Sequence, residues 1–323
     1  MSKPIAIIAG EPNSISSEII FKSWKLRKKF KYKPIIIIGS IKLLNLQKRK
    51  LKQNIKIHEI NKKFKKNDLK NNYLNVLNVQ YKQKKPFEKI SKKTNKYIFD
   101  CFKVAINLAN SRKILGIINC PISKETLLKN THKGITEFLA KKTSSLGKEV
   151  MLIYNKKLSV IPITTHIPLR SVRGELNKSK IIKKIKIVYK FYKQNFNIKP
   201  RFGVLGLNPH NFSNGISEEK TIISPAIKSV NKYKIKAFGP ISPDTSFMRF
   251  KKMKINVAVG MYHDQVLLPF KTLFKYDAIN ITLGLPFIRI SPDHGTAEDI
   301  AGKNIANPNS LVKSIQFFNS LKK

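Results

Sequence analysis

Three of the six histidines share one kind of address. His166 ends the run Ser-Val-Ile-Pro-Ile-Thr-Thr-His, and His210 ends Phe-Gly-Val-Leu-Gly-Leu-Asn-Pro-His. His263 is the last but one residue of Asn-Val-Ala-Val-Gly-Met-Tyr-His-Asp. Each follows closely on an apolar, strand-like run. In open α/β sheets ligands bind beyond the carboxyl ends of the strands, so three such side chains can converge. Neutral imidazole is a good ligand for zinc and its first-row neighbours, and three protein ligands leave positions open for a substrate. The spacings are too long to count as a metal motif by themselves, so three unrelated loop histidines is an equally open reading. Asp264, beside His263, and Asp244, in Ser-Pro-Asp-Thr-Ser, are acids placed to fix a histidine tautomer. A solvated loop acid and a helix N-cap are the alternatives, and for Asp244 the cap is favoured.

Past His263 come Lys271, Asn280 and Arg289, which offer a point charge, a neutral donor and a planar fork for carboxylate or phosphate. Any one lysine of this chain is more often surface than site. Arg289 is a scarce arginine inside the apolar run Leu-Pro-Phe-Ile-Arg-Ile-Ser, and buried there it needs an anion. The stretch from Ser291 to Pro308 follows. Its His294-Gly295-Thr296-Ala297 reads as a tight turn entering a short helix, with a backbone open to close approach by a ligand. An ordinary capped helix start is the other reading. No Gly-x-Gly-x-x-Gly follows the first strand, so a Rossmann fingerprint is absent, although Gly10-Glu11-Pro12 stands where one would begin.

Short apolar runs alternate with longer amphipathic ones, the pattern of α/β architecture. Strands are expected at Pro4–Ala9, Pro34–Gly39, Ile114–Ile118, Met151–Tyr154, Ser159–Ile163, Phe202–Leu207, Asn256–Gly260 and Ala278–Thr282. Helices are expected at Thr94–Asn110, Ile135–Thr143, Lys178–Phe196 and Ser310–Leu321. Runs such as Ile35–Ile38 suit strands buried on both faces, hence a largely parallel sheet. Lys42–Lys93 is lysine- and asparagine-laden with weak periodicity and reads as loops and short solvated elements. A domain transition is expected near Pro121–Gly134.

At 323 residues the chain allows two ordinary domains or one large α/β unit, and its 41 % hydrophobic residues suffice for real cores. The net charge of +46 suggests a polyanion-binding protein. Against that, the cations are 56 lysines and only 8 arginines, spread along the whole chain. Arginine is the side chain that reads phosphates and base edges in a planar fork. The wealth of Lys, Ile, Asn and Phe is the pattern expected of A- and T-rich coding DNA, and no nucleic-acid-binding motif accompanies it. Specific nucleic-acid binding is therefore not expected, and a lysine-rich nucleic-acid-binding protein on a decayed enzyme scaffold stays as the rival from another class. Cys101 and Cys120 form neither a disulfide framework nor a metal knuckle, which fits a reducing cytoplasm. The apolar run at Ile5–Ala9 is too short for a signal-peptide core, and no stretch is long enough to span a membrane.

Several of these segments together resemble one family. His-Gly-Thr-Ala-Glu-Asp-Ile-Ala-Gly-Lys-Asn-Ile-Ala-Asn-Pro, at 294–308, looks like the adenosine-binding loop of the isocitrate and isopropylmalate dehydrogenases. The rest is similar to a related group, the 4-hydroxythreonine-4-phosphate dehydrogenase family. The matching segments are Gly-Glu-Pro (10–12), Thr-Glu-Phe-Leu-Ala (136–140), Thr-Thr-His-Ile-Pro-Leu-Arg (164–170), Gly-Leu-Asn-Pro-His (206–210), Met-Tyr-His-Asp-Gln (261–265) and Asn-Ile-Thr-Leu-Gly-Leu-Pro-Phe-Ile-Arg (280–289). They run in family order over nearly the whole chain.

The resemblance implies a two-domain α/β/α fold of isopropylmalate-dehydrogenase type, with a mostly parallel sheet and the site in a cleft between domains. It places a nucleotide-side domain at 1–130 plus 292–323 and a metal- and substrate-binding, dimer-forming domain at 131–291. It implies that His166, His210 and His263 bind a divalent metal, zinc first, with cobalt, manganese or magnesium as alternatives. Thr136, Lys271, Asn280 and Arg289 would hold a small phosphorylated hydroxy acid. His294, Gly295, Thr296, Ala297 and Asn307 would hold NAD or NADP. Asp244 and Lys271 are the candidates for the catalytic base. The family is homodimeric with its active site at the subunit interface, and its reaction oxidises and decarboxylates the substrate. Three departures stand out: Ile135 replaces a substrate-binding histidine, Ser14 and Ser16 replace glycines, and Asn211–Asn214 replaces a glycine-rich loop.

Overall fold

The computed structural model describes residues 3–128, 134–211, 215–275, 277–292 and 295–321. The chain divides into two compact units, residues 1–135 with 286–320, and residues 136–285 with 321–323.

The first unit opens on β1 (Ile5–Ile8), α1 (Ser16–Lys25), β2 (Ile35–Gly39) and α2 (Ile41–Lys50). Unbroken β-branched runs suit strands covered on both faces, and all nine residues of β1 and β2 are buried. Ser40 starts α2 by accepting the Leu43 amide at 3.4 Å. There follow β3 (Ile57–Ile60), β4 (Leu74–Asn78), α3 (Asn95–Asn110), β5 (Gly116–Asn119) and α4 (Lys124–Leu128). Helix α5 (Ile135–Lys142) begins at the boundary and leads into the second unit.

That unit contains β6 (Val150–Tyr154), β7 (Ser159–Pro162), α6 (Val172–Glu175), α7 (Lys178–Phe196), β8 (Phe202–Leu205) and α8 (Ser224–Lys232). It continues with β9 (Ala237–Ile241), α9 (Pro243–Arg249), β10 (Val257–Gly260), α10 (His263–Phe274) and β11 (Ile279–Leu283). Helix α7 is bounded as its sequence pattern demands. Asn177 accepts the Lys180 amide at 2.8 Å at one end, and Asn197 turns left-handed, φ 58°, at the other. The chain then returns to the first unit for β12 (Ile288–Ser291) and α11 (Asn309–Ser320).

In the first unit the strand order is β3-β4-β2-β1-β5-β12, every pairing parallel. In the second it is β11-β6-β7-β10-β8-β9, where β6 runs antiparallel to both neighbours and the rest are parallel. The fold is therefore mostly parallel α/β. A continuous apolar core in the second unit joins Val160, Leu205, Ala258, Val266 and Phe270, so α10 packs on the strands that carry the histidines. Among the described residues no helix is long and apolar enough to cross a membrane. Cys101 and Cys120 are free and buried, and burial pushes both thiols well above their usual range.

Two expectations need correction. Lys42–Lys93 is not only loop: it carries most of α2 and all of β3 and β4, and Leu74, Val76 and Leu77 are almost wholly buried. Asparagines and lysines at the intervening positions dilute the apolar signal there, while parallel pairing to β2 supplies the missing drive. Arg289 also changes side. Its strand pairs with β5 (Ile288 opposite Gly116, Arg289 opposite Ile117), so it belongs to the first unit and not to a segment ending at 291.

Candidate active site

Strands β7, β10 and β8 are parallel neighbours, so their carboxyl ends open on one edge. Parallel strands leave backbone groups unpaired at that edge, and here side chains take them up. Thr164, just after β7, donates through Oγ1 to the Met261 carbonyl at 2.8 Å, and its amide reaches the same oxygen at 3.1 Å. The Met261 amide donates to Gln265 Oε1 at 2.6 Å, and Gln265 Nε2 donates to the Gly206 carbonyl at 2.7 Å. The ends of all three histidine-bearing strands are thus tied in one row. Beyond them, buried Glu219 accepts the amides of Leu207 and Asn208 at 2.8 and 2.9 Å, holding the turn that leads to His210.

Each histidine sits where the chain leaves its strand. His166 and His210 adopt left-handed backbone, φ 49° and 51°, which is uncommon without a glycine and concentrates at functional sites. His263 is the first residue of α10. His166 and His263 have ring centroids 6.0 Å apart and line one cavity of about 390 Å³ together with Thr164, Thr165, Tyr262 and Asp264. His210 stands apart on the turn after β8, its side chain 80 % exposed. Among the described residues no three His, Cys, Asp or Glu side chains close on a point that can hold a metal ion. Within one chain, two of the three expected ligands come together.

All three share a further feature. Nδ1 of His263 lies 2.6 Å from Asp264 Oδ1, Nδ1 of His210 lies 3.4 Å from Asp244 Oδ2, and Nδ1 of His166 lies 3.7 Å from Glu137 Oε1. The first is a short hydrogen bond; the other two are longer polar contacts. In every case a carboxylate faces the same ring nitrogen and Nε2 is the nitrogen left over. That donor set fits a divalent metal. Asp244 is not the helix cap, which falls on Ser242; it lies in the first turn of α9. A 2.6 Å hydrogen bond from Ser242 and the neighbouring His210 hold its carboxyl below the usual range. Glu137 was not singled out in the sequence, although it stands inside the Thr-Glu-Phe-Leu-Ala segment.

The anion-binding candidates divide between the units. Thr136, in the first turn of α5, meets Thr282 of β11 at 3.5 Å between hydroxyls, and Asn280 precedes Thr282 by two residues on the same strand face. Lys271 is exposed in the last turn of α10, about 12 Å along the helix axis from His263. Arg289 is buried, as its apolar surroundings require, and its Nε donates to Asn119 Oδ1 at 2.7 Å. Ile135 is buried in the first turn of α5.

Of the nucleotide-loop candidates, His294 lies outside the described residues. At Gly295 an added Cβ would meet nothing within 4 Å, so the backbone there is open to a ligand. Ala297 is left-handed, φ 43°, and leads into the single 3-10 turn Glu298–Ile300, shorter than the helix expected. Asn307 Oδ1 accepts the Asn309 amide at 2.9 Å, so its side chain also starts α11. The departures near residue 10 are absorbed locally. Gly10 keeps a left-handed turn (φ 78°) against the Pro121 carbonyl, and Ser14 and Ser16 bond each other at 2.8 Å and nearby carbonyls.

Residues 31–318 match the family model described as pyridoxal phosphate biosynthetic protein PdxA. The chain belongs to the PdxA family. A 4-hydroxythreonine-4-phosphate dehydrogenase of Sulfurihydrogenibium sp. (strain YO3AOP1) is 40 % identical over 326 residues, covering 99 % of this chain and 98 % of its own. A D-threonate 4-phosphate dehydrogenase of Salmonella typhimurium is 34 % identical, with 98 % of each chain covered. Among solved structures, the 4-hydroxythreonine-4-phosphate dehydrogenase of Klebsiella pneumoniae superposes with a TM-score of 0.82 at 32 % identity, over 98 % of this chain and 99 % of that one. The PdxA family is one of dehydrogenases, which implies an NAD(P) cofactor.

Behind β7 of this PdxA family member lies Lys184, its Nζ 3.4 Å from the Pro162 carbonyl. Burial pushes its ammonium down from 10.5 to about 8; Glu149 and Glu137 oppose the shift, and Lys180 adds to it. Between these two values the unfolded chain keeps a proton that the folded chain has released, so stability rises with pH across that window. Below the lower value the cost of burying the charge is fully present. Lys184→Met removes this titration. Its unfolding free energy relative to the wild type is expected to fall as pH is raised from about 7 to about 9.5 in urea melts. A difference that does not move with pH contradicts the assignment.

Proposed function

We propose that the chain oxidises 4-phosphooxy-L-threonine with NAD or NADP and releases carbon dioxide, giving 3-amino-2-oxopropyl phosphate for pyridoxal phosphate synthesis. His166, His210 and His263 hold a divalent metal, zinc before cobalt, manganese or magnesium. The observation that carries this reading is the carboxylate beside Nδ1 of each histidine: Glu137, Asp244 and Asp264. A carboxylate there fixes the tautomer and raises the basicity of Nε2. Three unrelated loop histidines have no reason to share it.

The third ligand comes from a second copy of the chain. His210 projects into solvent while His166 and His263 share a cavity. Leu169, which lines that cavity, is 69 % exposed, and Leu268 and Leu273 are exposed on α10. Exposed apolar surface beside an incomplete site marks an interface. The account is therefore of a homodimer with shared sites.

When bound, the metal supplies positive charge beside the reacting oxygens. Thr136 and Asn280 orient the polar groups of the acid, and Lys271 and Arg289 supply cations for its phosphate and carboxylate. Bound NAD or NADP would accept the hydride from C3, and the hydroxyl proton would go to a base. Asp244 and Lys271 are the two candidates for that base. The resulting keto acid loses carbon dioxide, and the carbon left carrying the electron pair takes up a proton.

A second reading keeps the chemistry and changes the acid to a phosphorylated threonate or erythronate. Ile135 favours it: a buried isoleucine offers nothing to a polar group that a histidine would bond. The deciding assay follows reduction of NAD and of NADP by purified protein with each phospho-acid, with divalent metal and then with chelator. Metal-dependent turnover of 4-phosphooxy-L-threonine is expected. Turnover of phosphothreonate alone selects the second reading, and no turnover of either despite bound metal contradicts both. Under the first reading, Ile135→His should raise kcat/KM for 4-phosphooxy-L-threonine by about 5- to 100-fold, the worth of one buried hydrogen bond. Unchanged kinetics would show that position 135 does not face the substrate.

A further inference from the structure

Residue 18 is a glutamate with no exposed surface, and the chemistry above makes no use of it. Its Oε1 accepts the Ala306 amide at 2.6 Å and the Lys22 ammonium at 2.7 Å, while Oε2 is buried with no hydrogen-bond partner among the described residues. Lys22 spends its other two donors on the carbonyls of Asn304, at 2.9 Å, and Ala306, at 2.8 Å. Two side chains one turn apart on α1 thus read an amide and two carbonyls of a single loop. The N-cap of the same helix grips that loop's other end, since the Ile15 amide donates to the Thr296 carbonyl at 3.1 Å. Residues 15, 18 and 22 share one helical face. Between the two grips the loop turns through left-handed Gly302 and Asn304, φ 78° and 62°.

A half-satisfied buried carboxylate is a costly way to close a loop, and an apolar contact would close it more cheaply. The expense makes sense if the loop must hold one shape. We infer that Glu18 and Lys22 are positioning residues for dinucleotide binding, fixing the backbone from Thr296 to Asn307 in the form that receives NAD or NADP. This rests on the reading of 295–307 as the nucleotide loop.

The test is titration of purified protein with NADH and NADPH by fluorescence, alongside amide exchange at Ala306 and steady-state kinetics. Lys22→Met keeps the methylene stem of a partly exposed side chain and should weaken dinucleotide binding about tenfold, with kcat at saturating dinucleotide within about twofold of wild type. Ala306 exchange should quicken, Glu18→Gln should act in the same direction, and Lys22→Arg should recover most of the affinity. Wild-type affinity in Lys22→Met, or a fall in kcat with affinity unchanged, overturns the inference. Gly295→Glu is the control for the underlying reading, because its side chain enters open space. If that variant binds dinucleotide as well as the wild type, the loop is not the nucleotide site and the inference fails with it.

Discussion

The backbone of Met261 is the point on which the second unit's strand-end geometry hangs. A parallel sheet ends with its polar groups facing outward, and left alone that edge would be hydrated and loose. Here Thr164 takes the Met261 carbonyl and Gln265 takes its amide, while the other end of Gln265 reaches Gly206. One residue's two polar groups therefore couple three neighbouring strands. Because each strand delivers a histidine within a few residues of its end, the row of hydrogen bonds sets where the imidazoles begin. Asp264, hydrogen-bonded to His263 Nδ1, then sets how that imidazole is turned.

The same division of labour recurs in the first unit. Its central strands β1 and β2 are buried and isoleucine-rich, and polar groups gather where the loops leave them. Buried Glu11 is a case in point: Asn13 and Thr94 bond its carboxyl at 3.3 and 3.0 Å, yet burial still raises it above the usual range. Among the scarce acids Glu11, Glu18 and Glu219 are buried, while many of the 56 lysines are exposed. That contrast explains why the net charge of +46 is a poor guide to function: most of it is solvated, and the acids mark where structure is being specified.

Much of the fold was legible from the sequence because its signals were dense. Ile35–Ile38 reads as a doubly covered strand, and Lys178–Phe196 reads as a helix with one apolar face; both stand where their patterns put them. β3 and β4 escaped because a four- or five-residue strand carrying His58, Glu59 and Asn75 has no periodicity of its own, and its place comes from β2. The addresses of His166, His210 and His263 at strand ends were legible too. Their carboxylate partners were legible only in part. Asp264 adjoins His263 in sequence, but Glu137 comes from α5 and reaches His166 only through the fold. The grip of Glu18 and Lys22 on a loop nearly 300 residues away could not be read from spacing at all.

The central claim is that the strand-end histidines form a metal site tuned by their carboxylates, and metal affinity tests it without reference to turnover. Chelator competition would compare the wild type with His263→Ala, His210→Ala and Asp264→Asn. The account predicts one divalent ion per chain in the wild type and its loss in either histidine variant. In Asp264→Asn it predicts affinity weakened by about 10- to 100-fold, the usual worth of a ligand's hydrogen-bonding partner. Undiminished binding in both histidine variants would contradict it.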